Sequence, residues 1–178
     1  MHSNSRGLPR QAAKIVLFAS LALLGNAYAA TLNVVESVVV SSSPAKVWKL
    51  AGDFRGLAQW HPVVGATDIT KGRNNVPGAV RLVTTKDGAK IVEELLSYDS
   101  KKKVLRYRIV ESPLPVRDYV STLSVTRAGK GARIEWKSEF ERTDAVDDAK
   151  AKEIVAGIYT AGFDGLQAKL AAGASAGR

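Results

Sequence analysis

The sequence predicts an α+β fold in which a long C-terminal helix lies across the concave side of a strongly curved, seven-stranded antiparallel sheet, with two short helices after the first strand. Three observations predict it. Six extended segments between residues 63 and 142 are separated by turn signals and mostly alternate in polarity, the hydrophobic period becomes helical after residue 145, and one carboxylate, Glu93, falls on the apolar face of its strand. A buried acid is costly unless something pairs with it or water reaches it, so a strand that accepts one faces a polar hole. A cavity is therefore expected between sheet and helix.

The first residues read as an address. Arg6, Arg10 and Lys14 form a positive segment, Ile15 to Leu24 an apolar one too short to span a bilayer, and Ala27-Tyr28-Ala29 a cleavage site. Residues 1–29 are thus expected to be a secretory signal peptide removed before Ala30, with residues 30–178 forming one domain in the periplasm or outside the cell. Three of the 26 basic residues lie in that leader, which leaves 23 against 17 acidic ones, a net charge of +6. The chain has no cysteine, which excludes disulfides, a thiol nucleophile and cysteine metal sites.

Leu32 to Val40 is a β-rich run, closed by Ser41-Ser42-Ser43-Pro44, a capping signal with proline at a helix start. Ala45 to Leu50 is expected as a short helix and Phe54 to Trp60 as a second, stopped by Pro62. Extended segments follow at Val63–Thr70, Ala79–Thr85, Ala89–Tyr98, Val104–Glu111, Tyr119–Arg127 and Ala132–Arg142. Turn signals at Asn74-Asn75, Pro77-Gly78, Asp87-Gly88, Asp99-Ser100, Pro113 with Pro115, and Gly129 with Gly131 separate them. From Ala145 to Ala172, Ile154, Val155, Ile158, Gly162, Leu166 and Leu170 recur at helical spacing, with a frayed Ala/Gly/Ser-rich tail after Leu170. Parity turns Leu105, Tyr107 and Ile109 inward, then Tyr119, Ser121, Leu123 and Val125, then Ile134, Trp136, Ser138 and Phe140.

In order, Val47-Trp48, Asp53-Phe54, Trp60-His61-Pro62, Gly78-x-x-Arg81, Glu93, Tyr107, Pro115-x-x-Asp118-Tyr119, Trp136, Phe140 and Gly162-x-x-x-Leu166 span nearly the whole chain after the leader. This set resembles the polyketide cyclase/dehydrase-like branch of the START and Bet v 1-like (SRPBCC) superfamily. The resemblance implies a helix-grip fold with a ligand cavity between sheet and C-terminal helix. Within the branch the chain is similar to exported accessory members associated with methanol oxidation, which share a signal peptide, a Trp-His-Pro element and a segment like Leu114-Pro115-Val116. It is also similar to the plant abscisic acid receptors. Glu93 falls where these place a pocket glutamate that works through water, His61 where they place a lysine facing the ligand, and Tyr119 and Ser121 on pocket positions. Their gate loop is longer than Lys86-Asp87-Gly88, so hormone gating is not implied.

The candidate ligand-binding residues are Trp60, His61, Arg81, Glu93, Tyr107, Tyr119, Ser121, Trp136, Phe140 and Ile158. Each has a plainer alternative: His61 could bond a backbone carbonyl, Glu93 could form a buried pair with Arg81, and the aromatics could simply be wall. Register separates the two readings of Glu93. A two-residue Asp87-Gly88 turn sets Arg81 opposite Glu94, whereas a three-residue loop with Gly88 in a bulge, the favoured reading, sets it opposite Glu93.

Binding of a small amphipathic or aromatic ligand is the leading expectation. Docking to an acidic periplasmic partner follows from the basic charge, and acid–base chemistry of a cyclase or dehydratase type by His61 or Glu93 is the third reading. One histidine outside the leader and no cysteine imply neither metal nor cofactor. Lys101-Lys102-Lys103, without an aromatic platform, reads as a solvated hairpin tip and not a nucleic-acid site.

Overall fold

The computed structural model describes residues 30–175; the expected leader and its cleavage site lie outside the described residues. Seven strands form one antiparallel sheet: β1 (Leu32–Val40), β2 (Val64–Lys71), β3 (Val80–Thr85), β4 (Lys90–Asp99), β5 (Val104–Glu111), β6 (Val116–Ala128) and β7 (Gly131–Arg142). Their order across the sheet is β1-β7-β6-β5-β4-β3-β2, so the first two strands in sequence are the two edges. Between them lie helix α1 (Pro44–Ala51) and a 3-10 turn (Phe54–Gln59), and the chain closes with α2 (Asp148–Ser175).

Local chemistry starts and stops these elements. The Ser43 side chain accepts from the Lys46 backbone N–H at the α1 N-terminus, with Pro44 in the first turn. Asp53 caps the 3-10 turn through the Arg55 N–H, while Asn75 Oδ1 accepts from the Phe54 N–H at 2.9 Å and Asn74 Oδ1 from that of Arg55 at 3.0 Å. The β2–β3 turn therefore ties down the turn that leads to Trp60 and His61. Gly88 takes a φ of 92° in the three-residue loop Lys86-Asp87-Gly88, the bulged alternative, and this sets Arg81 opposite Glu93.

The inward faces follow parity. Leu105, Tyr107, Leu123, Val125, Ile134, Trp136 and Phe140 are buried against Ala151, Val155, Tyr159, Phe163, Leu166 and Leu170 of α2. Most boundaries shift by a single residue from expectation, and three move further, one of them the start of α2, at Asp148 and not Ala145. β6 begins at Val116 because the strand resumes pairing across a bulge at Asp118, whose φ is 51°. α2 runs through the alanine-rich tail to Ser175, where alanine's helix propensity outweighs the loss of packing. No helix of the described residues is long and apolar enough to cross a membrane.

Candidate functional site

The sheet and α2 pack fully at one end and part at the other. There a cavity of about 230 Å³ lies between the inward faces of β3, β4 and β5, helix α2 and the loop Pro113-Leu114. Its wall is mainly Val83, Ile91, Ile109, Leu114, Val155 and Ile158, with Leu57, Val63 and Val64 below His61 and the hairpin residues Thr85, Asp87 and Ala89 at the rim.

Of the residues expected there, His61, Glu93, Tyr107, Tyr119, Trp136 and Ile158 line this space, and Trp60, Arg81, Ser121 and Phe140 do not. For Arg81, Ser121 and Phe140 the reason is that strand parity identifies a face, not a depth; Trp60 stands on no strand and closes the 3-10 turn. Arg81 lies flat behind the wall, its guanidinium 4.2 Å from the Phe54 ring centroid and 5.2 Å from that of Tyr107. Ser121 is wholly buried beneath the aromatic rings, and Phe140 packs behind Tyr119. Trp60 faces Trp136 and the helix.

The buried charge pair is well formed. Arg81 Nε donates to Glu93 Oε2 at 2.6 Å, and Arg81 Nη1 donates to the Phe54 carbonyl, which joins the pair to the start of the 3-10 turn. Glu93 thus pairs with Arg81 and borders the cavity at once.

His61 is held in the same way from two sides. Its backbone N–H bonds the Leu57 carbonyl, and its ring Nε2 lies 3.0 Å from the Ile158 carbonyl of α2. A carbonyl only accepts, so Nε2 carries the proton and Nδ1 is a lone pair, buried without a partner among the described residues. Burial lowers the imidazole's pKa below its usual value; the Ile158 carbonyl opposes this and the Arg81 charge adds to it. His61 is therefore neutral at pH 7. Close approach of Trp60-His61-Pro62 to the helix depends on two glycines: a Cβ at Gly162 would sit 2.9 Å from Trp136 Cζ3 and 3.0 Å from His61 Cδ2, and one at Gly165 would sit 2.0 Å from the Trp60 carbonyl oxygen.

Tyr159 is the functional residue that sequence reading passes over. It stacks on Trp136 at 4.4 Å between ring centroids, and its hydroxyl bonds those of Tyr119 and Ser121. Its signal was spacing: Tyr159 stands four after Val155 and seven before Leu166, on the buried stripe. Ser121 Oγ also bonds the Lys137 carbonyl at 2.9 Å, and Trp136 Nε1 reaches both Ser121 Oγ and the Tyr107 hydroxyl at 3.0 Å. Burial raises the pKa of all three tyrosines, so they stay protonated. Among the described residues no group of three or more histidine, cysteine or acidic side chains could hold a metal.

Comparison with known proteins places this geometry. The family model described as polyketide cyclase/dehydrase and lipid transport matches residues 31–171. The MLP-like protein 423 of Arabidopsis thaliana is 28% identical over 123 residues, covering 62% of this chain and 77% of its own. Among solved structures, XoxI of Bacillus cereus has a TM-score of 0.71 at 30% identity over 77% of this chain and 94% of its own. An uncharacterised protein of Bacillus thuringiensis gives 0.72 at 31%, over 78% and 98%. Ara h 8.0201, at 17% identity and a TM-score of 0.67 over 80% and 99%, shares the fold. With a curved sheet gripping its last helix and a family model that matches from Thr31 to Ala171, this chain belongs to the polyketide cyclase/dehydrase and lipid transport family of the Bet v 1-like superfamily.

Proposed function

We propose that this protein binds a small amphipathic or aromatic, lipid-like molecule in the cavity between sheet and α2 and carries it outside the cytoplasm. One observation supports this reading above the others: the cavity is lined mainly by aliphatic side chains from three strands, a helix and the adjoining loops, with only a few polar groups reaching it. Proteins of this fold commonly bind hydrophobic ligands. A binding role also fits the polar groups better than turnover does. Glu93 is held by Arg81 and burial keeps the tyrosines protonated, an arrangement that suits hydrogen bonding to a bound molecule.

Native mass spectrometry of protein purified from its own cells tests the proposal. A retained small molecule, lost on unfolding and absent from an Ile109→Trp variant that fills the cavity, supports it; an empty protein that also takes up no apolar probe overturns it. Export rests on the N-terminal pattern, and N-terminal sequencing of the mature form should give Ala30. The basic excess supports a second role, docking an acidic partner protein; such a complex should weaken between low and moderate salt.

A further inference from the structure

The polar end of the cavity has unused hydrogen-bonding capacity whose kind can be assigned atom by atom. Ser121 has a single hydroxyl hydrogen, and the Lys137 carbonyl, which can only accept, takes it at 2.9 Å. The bond from Ser121 to Tyr159, 3.2 Å long, must then be donated by Tyr159. With its own hydrogen committed, Tyr159 accepts from Tyr119. Trp136 Nε1 can only donate, and it is shared between Ser121 Oγ and the Tyr107 oxygen. Both lone pairs of Ser121 are thereby occupied. The hydrogen of the Tyr107 hydroxyl is left over, because the neighbouring Ser121 oxygen is already saturated; the buried Ser138 hydroxyl behind the cluster is likewise without a partner among the described residues.

Across the same sheet face stands the complementary vacancy. Tyr107 is opposite Leu95, and Glu93 is the next inward residue along that strand, so the two are diagonal neighbours. Glu93 spends Oε2 on Arg81; Oε1 has no partner among the described residues. Both residues line the cavity, whose wall is otherwise mainly aliphatic; the His61 ring, whose Nδ1 is a bare acceptor, and Thr85 and Asp87 at the rim are its other polar members outside the aromatic cluster.

We infer that the ligand is an apolar molecule bearing a hydroxyl group, an alcohol or a phenol, whose oxygen accepts from Tyr107 and whose hydrogen is donated to Glu93 Oε1. The assignment rests on the cavity reading above and sharpens it. A carboxylate would set a second anion beside Glu93. A ketone or ether would satisfy Tyr107 and leave Glu93 unmet, and a hydrocarbon would leave both unmet. A single hydroxyl completes both.

Calorimetric titration with 2-naphthol, naphthalene, 2-methoxynaphthalene and 2-naphthoate separates these cases in the unaltered protein. The expected result is 2-naphthol tighter than naphthalene by about tenfold or more, with the ether losing most of that gain and the carboxylate weakest. In Tyr107→Phe, where Trp136 keeps its bond to Ser121, the ratio of naphthol to naphthalene affinity should shrink several-fold. Naphthalene and naphthol binding within twofold of each other, or naphthoate binding tightest, would overturn the hydroxyl assignment and leave the cavity reading standing. Binding of none of the four would remove both.

Discussion

Replacing Glu93 by glutamine leaves a guanidinium in the core without its counter-charge. Arg81 is 4% exposed and Glu93 7%, with 2.6 Å between nitrogen and oxygen. Charge centres about 4 Å apart at an effective dielectric of about 20 attract by about 4 kcal/mol. The glutamine carbonyl still accepts from Arg81 Nε, which recovers about 1 kcal/mol, so the expected loss is about 3 kcal/mol, at the lower end of the range for a broken buried pair. For a domain of this size that corresponds to a fall in Tm of about 6–12 °C. The double variant Arg81→Met/Glu93→Leu should return to within about 1 kcal/mol of wild type, because apolar residues of similar volume replace a buried pair at little cost. Urea unfolding at pH 7, followed by far-UV circular dichroism and tryptophan fluorescence, gives the free energies of the three proteins. A glutamine variant within 1 kcal/mol of wild type, or a double variant as unstable as the single, would refute the reasoning.

Gly165→Ala should cost at least about 3 kcal/mol, since the new methyl meets the Trp60 carbonyl, whereas Gly157→Ala, with nothing within 4 Å, should stabilise α2 by about 0.5–1 kcal/mol; both are read from thermal melts. Tyr159→Phe strands the Tyr119 hydrogen and should cost about 1–3 kcal/mol by urea unfolding, more than Tyr119→Phe, which removes a donor and strands none. Because the pKa of His61 is lower in the folded protein, the unfolded chain binds more protons, so its contribution is present above about pH 6.5 and is lost as pH falls through the folded value. Urea midpoints should therefore drop on acidification, by at most about 1.4 kcal/mol per pH unit from this group, and His61→Gln should flatten the slope.

Much of the fold was legible because a strand has only two faces. Alternation along Arg133 to Glu141 fixed which side of β7 meets the core, and Gly88 marked the loop that aligns Arg81 with Glu93. The site was less legible. Arg81, Ser121 and Phe140 share a face with the cavity residues yet sit behind them or farther along the strands, and that depth depends on where α2 lifts from the sheet. Pro113 and Leu114 enter the wall from a loop whose path follows from no periodicity. Tyr159 hid among aliphatic neighbours on a helix whose packing side chains are mostly aliphatic, and its partners Tyr119 and Ser121 lie some forty residues away. The bulge at Asp118, which starts β6 early, holds an aspartate in the left-handed region, and aspartate is too common a residue to announce such a conformation in advance.

The pairing of β1 with β7 sets when this protein can fold. Leu32 registers with Phe140 and Val40 with Ala132, so the first strand made has no partner until the last strand has been made. The other edge, β2, pairs only with β3, and the helix that closes the core comes later still. Such long-range contacts demand that a large loop be closed before the sheet gains its seventh strand, which slows folding relative to a chain of local hairpins. In a nascent chain with this order of strands the hairpins from β2 to β7 can pair as they emerge, but the first strand waits unpaired until nearly all of the chain has been synthesised.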